Sequence, residues 1–495
     1  MSVGLRSFVE AARREKLAAI RELGVAPYAY GYRRTHTARE AVEAYRADEE
    51  VPARVAGRII ARRGHGRTGF AHISDFSGKV QVYFRSDQLG EQQYELVKLL
   101  DLGDHIGVSG YLFKTKTGET TIHARELTLL AKALRPPPIG KQDAAGGQHG
   151  ILSDTELRYR QRYADLVAHP EARDVFWLRA RLITYIRKFL DARGYLEVET
   201  PMLQPLYGGA LARPFATHYN ALDAQFYLRI ATELYLKRCI VGGIERVYEI
   251  GKDFRNEGMD RFHNPEFTML EFYEAYADYS DIMELLEDML HGLVTELFGG
   301  AVLERFGKTF DFSRPWPRFS YADLFQEHAQ ADLQDADDDV LRDLLRRRDI
   351  PDLDPMPRSK LIDEVFKEYV EPRLEQPTFV VDYPLDLSPL AKPKRGNPAL
   401  AERFELYVAG QELANAFSEL NDPDDQRARF EAQAAARAAG DQDAHLVDED
   451  YIRALEYGMP PAGGCGVGLD RLVMLLAEAS SIRDVILFPT LRPER

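Results

Sequence analysis

A chain of 495 residues with 45% hydrophobic content can bury a large core and exceeds one average domain, so two or more domains are expected. The formal net charge of -15 argues against a uniformly basic nucleic-acid binder while leaving local patches open. Two cysteines, Cys239 and Cys465, cannot supply a four-thiolate zinc site, and they lie too far apart in sequence to read as a redox pair. Residues 1–6 lack a signal-peptide core and no run of about 18 apolar residues exists to span a membrane, so a cytoplasmic protein with no membrane partner is expected.

In chain order, Phe8 to Leu23 reads as a helix stopped by Gly24, with Arg13, Arg14, Lys16 and Arg21 on a solvated face. It belongs to an N-terminal helical extension, residues 1–50. From 51 to 135 the text is strand-rich: Val55 to Ala61, Gly69 to Asp75, Val80 to Phe84, a helix near Leu89 to Leu100, then Ile106 to Phe113 and Thr120 to Leu130. That order predicts a small barrel of the OB type. Arg54, Arg58, Arg62, Arg63, Arg67 and Lys79 against Asp75 alone make it a basic segment on which RNA can dock. Pro136-Pro137-Pro138 and Asp143 to Gly147 are linker chemistry, which sets a linker at 136–155 and a second domain at 156–495.

In that second domain Val175, Leu178, Leu182, Ile186 and Leu190 repeat at helical spacing up to Gly194, where a strand toward Pro201 begins. Asp337, Asp338 and Asp339 open a helix that Arg346, Arg347 and Arg348 close, a polarity that complements the helix dipole and reads as structural. No glycine-rich phosphate loop is present, so phosphate charge must be met mainly by side chains. Phe254-Arg255-Asn256-Glu257-Gly258 and the run His263 to Glu271 supply a cation, an aromatic ring and carboxylates. Strand alternation aims Phe267, Met269, Glu271 and Tyr273 to one side. The glycine-rich strand Gly463 to Gly468 leads into a helix bearing Arg471. Singly, each segment is an ordinary strand or helix start; together they point to ATP chemistry.

With Gly194-Tyr195-Leu196-Glu197-Val198-Glu199-Thr200-Pro201, these segments resemble motifs 1, 2 and 3 of class II aminoacyl-tRNA synthetases. Gly208 to Phe215, Leu228 to Arg238, Tyr383 to Ala391 and Ile482 to Pro489 are similar to lysyl-tRNA synthetases in particular, and the likeness runs from about residue 50 to the C-terminus. The resemblance implies an α+β architecture: an OB-type β-barrel followed by a class II catalytic domain with an antiparallel sheet flanked by helices. It also implies a ligase that joins L-lysine to tRNA(Lys) through a lysyl-adenylate, with ATP as substrate, Mg²⁺ as cofactor and a homodimer formed through the motif 1 region.

The segment Phe404 to Asn415 reads as a hairpin turning at Ala409-Gly410, which makes Glu405 and Glu412 diagonal neighbours able to grip one hard cation. In the family, glutamates matching these two hold magnesium against the phosphates. Strict alternation sends Asn415 and Glu419 to the opposite face, so a bulge or strand end near 413–418 is required to bring them into the same pocket.

A pocket selecting lysine should end in carboxylate, and Glu271 and Glu419 fit. By resemblance, Tyr273 joins them at the side-chain amine, Glu233 takes the α-amino group, Arg255 and Asn415 address the carboxylate, and Gly209 lies against the substrate backbone. Arg255 also meets the α-phosphate, Arg471 the far phosphate, Phe267 the adenine, and Glu257, His263 and Asn264 the rest of the nucleotide. Arg255 and Arg471 are the catalytic pair.

Phe262 stands where many relatives have arginine before this histidine, which leaves open whether Arg261 reaches the γ-phosphate. Arg63, Phe70, Gln81 and Glu126 match positions that read the lysine anticodon, against the alternative that Phe70 is barrel core. Three other readings are weighed: a paralogue that lysylates a protein lacks the barrel, an aspartyl enzyme needs a basic pocket, and a non-catalytic descendant should have lost Arg255, Glu405, Glu412 or Arg471.

Overall fold

The computed structural model describes residues 8–494 except 140, 143–147, 150–151, 334, 352, 355 and 439–446. The expected linker run Asp143 to Gly147 and residues 1–6 lie outside the described residues. The chain divides into two compact units, Met1–Pro170 and Glu171–Arg495.

In the first unit, β1 (Pro52–His65), β2 (Thr68–Ser74), β3 (Lys79–Arg85), β4 (His105–Lys114) and β5 (Thr120–Ala131) close into a barrel in the order β1-β2-β3-β5-β4. The long β1 pairs with both β2 and β4, and a register shift between Ile59 and Ala61 lets it bend from one partner to the other. Val55, Ile73, Val82, Val108 and Ile122 point inward at the period-two spacing of the sequence. Before the barrel lie α1 (Phe8–Glu22), closed by Gly24 at φ +73°, and α2 (Ala38–Ala44), whose Thr37 and Glu40 form a capping box. Ile20, Ala38 and Ala41 belong to the barrel's apolar cluster, so residues 8–50 pack as part of this unit. The expected short helix is α3 (Glu91–Leu99).

Two charge readings change here. Arg13 is buried rather than solvated and donates to the carbonyls of Leu102, Ala133 and Arg135. Arg58, half-buried, donates to Gly103 O, and the more exposed Arg62 donates to the carbonyls of Val97 and Leu100, so both tie the barrel to α3 and the loop after it. Burial lowers the pKa of both. The basic segment is therefore partly scaffold, because carbonyl groups at the end of a helix need donors as much as phosphates do.

The second unit is built on an eight-stranded sheet. Its strands are β6 (Leu196–Glu197), β7 (Arg246–Phe254), β8 (Glu266–Ala275), β9 (Arg318–Ser320), β10 (Thr378–Val381), β11 (Arg403–Val408), β12 (Gln411–Ser418) and β13 (Ala462–Gly468), in the order β9-β10-β11-β12-β13-β8-β7-β6. The six central strands are antiparallel, and the edge pairs β9–β10 and β6–β7 are parallel. The expected antiparallel sheet is thus mixed at its margins.

One face is covered by α4 (Ala172–Asp191), α6 (Tyr279–Phe298) and α7 (Leu469–Ala477), with α5 (Glu233–Val241) lying elsewhere against β8. Leu182, Ile186 and Leu190 of α4 meet Leu270 and Phe272 of β8 there, as helical and strand periodicities require. The residues of β8 between them face the other way. Arg179 ties the packing together by meeting Asp470 Oδ1 at 2.5 Å and Thr268 Oγ1 at 2.8 Å. The acidic run opens the helix Asp338–Arg346, with Asp337 Oδ1 accepting from Val340 N at 2.9 Å.

Candidate functional site

On the uncovered face of the sheet lies a cleft of about 400 Å³. Phe267, Met269, Glu271 and Tyr273 of β8 line it together, as their parity demands. Glu257, His263 and Asn264 approach from the β7–β8 loop, Arg471 from the first turn of α7, and Gly209 and Glu233 from residues 205–241.

The hairpin completes the wall through one extra residue. Tyr407 pairs with Glu412 and Leu406 with Ala414, so Leu413 is bulged out of the ladder, and the next pair is Glu405 with Asn415. Parity inverts at the bulge, and Glu412 and Asn415 both reach the cleft. Glu419, just past the strand end, lines it as well.

Glu405 is the exception among the expected residues. It lies behind the cleft wall, where Oε2 accepts from Tyr407 OH at 2.6 Å and Tyr383 OH at 2.9 Å, and Oε1 meets Arg403 at 2.5 Å. Burial and the nearby Glu412 carboxylate raise its pKa, against the pull of Arg403. Among the described residues no group of three or more acid, histidine or cysteine side chains forms a ready metal cage. Of the two carboxylates expected to share a hard cation, Glu412 faces the cleft, while Glu405 is anchored behind its wall with both oxygens engaged.

At the nucleotide end, the Arg255 guanidinium sits 5.0 Å from the Phe267 ring centroid and so takes one face of the ring. Arg471 donates to Glu412 O at 2.9 Å and lies 3.1 Å from His263 Nε2. His263 Nδ1 is 2.7 Å from Asp260 Oδ2, so the neutral ring donates there and accepts from Arg471. Asn264 donates to Glu266 O at 2.6 Å, while its buried Oδ1 has no hydrogen-bond partner. Arg261 does not line this cleft. It donates to Ser480 O at 3.2 Å and borders a neighbouring cavity, with the Phe262 ring against its guanidinium.

The opposite end is an enclosed acid box. Tyr273 OH donates to Glu271 Oε2 at 2.9 Å and Thr232 N to Oε1 at 3.3 Å. Burial, reinforced by Asp253 and Glu233, pushes the Glu271 carboxyl up to about 8. Glu233 and Glu419 are raised by the same burial, with Lys237 between them opposing it. A Cβ at Gly464 would collide with Glu419 Oε1 and the Tyr273 ring, so the glycine of β13 makes the room at this end. Gly209 holds φ +89° with its α-carbon beside Ala231 and Glu233.

The sequence reading missed Arg403, Lys237 and Asp253. Arg403 shares parity with Glu405, and Lys237 follows Glu233 by one helical turn, so both spacings were available. Asp253 is buried beside Arg229 at 3.2 Å and carries a pKa raised by burial to about 6.

On the barrel, Phe70 stacks on Tyr83 with centroids 4.5 Å apart, and Arg63 lies 5.2 Å from the Phe70 centroid. Phe70 is partly exposed and absent from the apolar core cluster, which removes the core reading. Gln81 is buried, donating to Glu119 Oε2 at 2.7 Å and accepting from Thr121 Oγ1 at 2.9 Å. His72 Nε2 is 2.8 Å from the other Glu119 oxygen. The acid that joins Gln81 is thus Glu119, in the β4–β5 connection. Glu126 sits farther along β5, opposite Ser109.

An α+β unit whose cleft is lined by arginine and carboxylate side chains, in a chain that also holds an OB-type barrel, is the pattern of one class of synthetase. Residues 154–492 match the family described as tRNA synthetases class II (D, K and N), and residues 53–130 the OB-fold nucleic acid binding domain. The chain belongs to this class II tRNA synthetase family. It is 51% identical to the lysine-tRNA ligase of Carboxydothermus hydrogenoformans over 97% of both chains. It is 52% identical to that of Pelotomaculum thermopropionicum, over 97% of this chain and 94% of the relative, and 52% identical to that of Moorella thermoacetica, over 98% of both.

Proposed function

We propose that this protein joins L-lysine to tRNA(Lys) in two steps, through a lysyl-adenylate made from ATP. The observation that carries the lysine reading is the enclosed end of the cleft, where Glu233, Glu271 and Glu419 converge. An aspartate side chain would be repelled there, and an ammonium is the group such a box stabilises.

Glu419, Glu271 and Tyr273 receive the side-chain ammonium, Glu233 the α-ammonium, and Gly209 lets the substrate backbone approach. Arg255 and Asn415 hold the carboxylate. That carboxylate attacks the α-phosphorus of ATP and expels pyrophosphate; the terminal ribose hydroxyl of the tRNA then takes the lysyl group. The first step brings two anions together, so positioning and charge neutralisation are the main demands. Arg255 bridges carboxylate and α-phosphate, and Arg471, steadied by Glu412 and His263, takes the far phosphate. The adenine is assigned to the face of Phe267 that Arg255 leaves uncovered, with Asn264 and Glu257 at its edges; the orphan Asn264 Oδ1 suits an amino group.

Glu405 and Glu412 would hold Mg²⁺, which when bound neutralises phosphate charge. Two chains pair through the motif 1 region, where Trp177, Leu196, Met202 and Leu203 are exposed apolar residues. The site of action is the cytoplasm, and no described helix is long and apolar enough to cross a membrane.

The test is amino-acid-dependent exchange of pyrophosphate into ATP across a panel of amino acids. Lysine alone should support rapid exchange; exchange with aspartate or asparagine instead of lysine overturns the assignment.

For the barrel, Arg63, Phe70 and Gln81 are assigned to the anticodon, along with Glu119 in the place first expected of Glu126. Phe70→Ala should weaken tRNA binding by about 5- to 150-fold, the loss of one base-aromatic stack of roughly 1–3 kcal/mol, and leave pyrophosphate exchange unchanged. Filter binding of tRNA measures it, and undiminished affinity would remove Phe70 from the interface.

A further inference from the structure

The acid box already contains an ammonium of its own. Lys237, one turn after Glu233 on α5, is fully buried with its Nζ 2.5 Å from Glu233 Oε1 and in ion-pair contact with Glu419 Oε2. The Phe417 ring lies 5.2 Å from the same nitrogen. Glu233 and Glu419 thus share Lys237, and both line the cleft, while Lys237 itself stands behind its wall.

We propose that Lys237 is a positioning and specificity-determining residue, a resident counter-ion that favours the charged forms of Glu233 and Glu419 and holds them aimed so that the cleft recognises an amino acid bearing two ammonium groups. This rests on the lysine reading above.

The argument begins with charge. Three buried carboxylates, Glu233, Glu271 and Glu419, line one end of the cleft. Without a cation they repel one another and take up protons, which costs the site its anionic acceptors. One fixed ammonium offsets charge shared by Glu233 and Glu419, while Glu271, pushed up to about 8, stays largely protonated until a substrate ammonium arrives. Free lysine brings two ammonium groups to this end of the cleft, while its carboxylate lies toward Arg255. The bound site is then balanced, as a buried set of charges must be to persist.

Geometry gives the second line. Neither Glu419 oxygen has a hydrogen-bond partner; Oε2 is held by the Lys237 ion pair, and Oε1, outside that pair, lies beside Gly464 and the Tyr273 ring. A buried carboxylate oxygen with no donor is costly, and a substrate ammonium supplies the missing donor. Lys237 therefore fixes which oxygen is offered. Burial works against its ammonium, but Glu233 and Glu419 outweigh burial and hold its pKa above the usual lysine value, so it stays charged in the empty site.

The test uses the full-length enzyme with Lys237→Met, which keeps an unbranched apolar stem, and Lys237→Gln, which keeps a polar hydrogen-bond donor; both are one atom shorter and lack the charge. Each should raise the KM for lysine in pyrophosphate exchange by roughly 100-fold, the scale of breaking a buried charge pair. The KM for ATP and kcat at saturating lysine should stay within about threefold. A purely structural Lys237 would lower thermal stability while leaving the lysine KM in place, and that result overturns the inference.

A measurement on the wild-type protein does not depend on the variants folding. With ¹⁵N-labelled lysine residues, NMR should show a charged, solvent-protected side-chain ammonium both before and after unlabelled lysine is added; its absence overturns the inference. Failure of wild-type enzyme to exchange with lysine would instead remove the lysine reading itself, so the two failures are distinguishable.

Discussion

Glu419→Gln is expected to raise the KM for lysine by about 10²- to 10³-fold while leaving the KM for ATP nearly unchanged. Glutamine fills the same space, so the change is electrostatic. Glu419 is fully buried, one oxygen is engaged by Lys237, and the other faces the cleft without a partner. Removing one partner of a buried charge pair costs about 2–5 kcal/mol, because the remaining charge is left in a medium that solvates it poorly. Here two cations feel the loss, the substrate ammonium and Lys237. Pyrophosphate exchange at varied lysine concentration measures the effect, and a variant with the wild-type lysine KM would place the side-chain ammonium elsewhere.

Arg255→Lys should slow adenylate formation by about 10²- to 10³-fold at saturating substrates, the range seen when one preorganised donor to a developing charge is removed. Positive charge is retained, so the substitution isolates geometry. A planar guanidinium can donate along two directions at once, to a carboxylate and to a phosphate oxygen, whereas an ammonium acts as a single point charge. In the present structure the guanidinium lies over Phe267 with Nε 3.5 Å from Ile230 O, so its plane is set before substrates arrive. Rapid-quench measurement of lysyl-adenylate in a single turnover is the appropriate assay. A lysine variant that forms adenylate at the wild-type rate would rule out the bridging role.

Much of this site was legible because strand parity and helical spacing are local rules. Phe267, Met269, Glu271 and Tyr273 share a face for the same reason that Leu270 and Phe272 share the other, and the motif needed no tertiary information. The hairpin showed where local rules stop. Alternation from the turn placed Glu412 correctly against Tyr407 but could only demand an irregularity beyond it; the ladder puts it at Leu413. A bulge depends on what both faces must pack against, and one strand's sequence does not state that.

Charge was the less legible property. Arg13, Arg58 and Arg62 read as surface bases, yet each satisfies backbone carbonyls inside the first unit. Guanidinium groups serve phosphates and carbonyls alike, and burial decides between them. The same ambiguity hid Lys237, which looks like any helix lysine until Glu419, far away in sequence, is seen against it.

The bulge at Leu413 also makes the hairpin a ruler with two opposed scales. Before it, even-numbered Glu412 faces the cleft; after it, odd-numbered Asn415 and Phe417 do, and Ala414 and Ala416 turn into the helix-packed core. Deleting Leu413 would leave plain alternation that still sends Glu412, Asn415 and Phe417 to the cleft, so the extra residue sets where this strand bends and twists, and not which side chains form the wall.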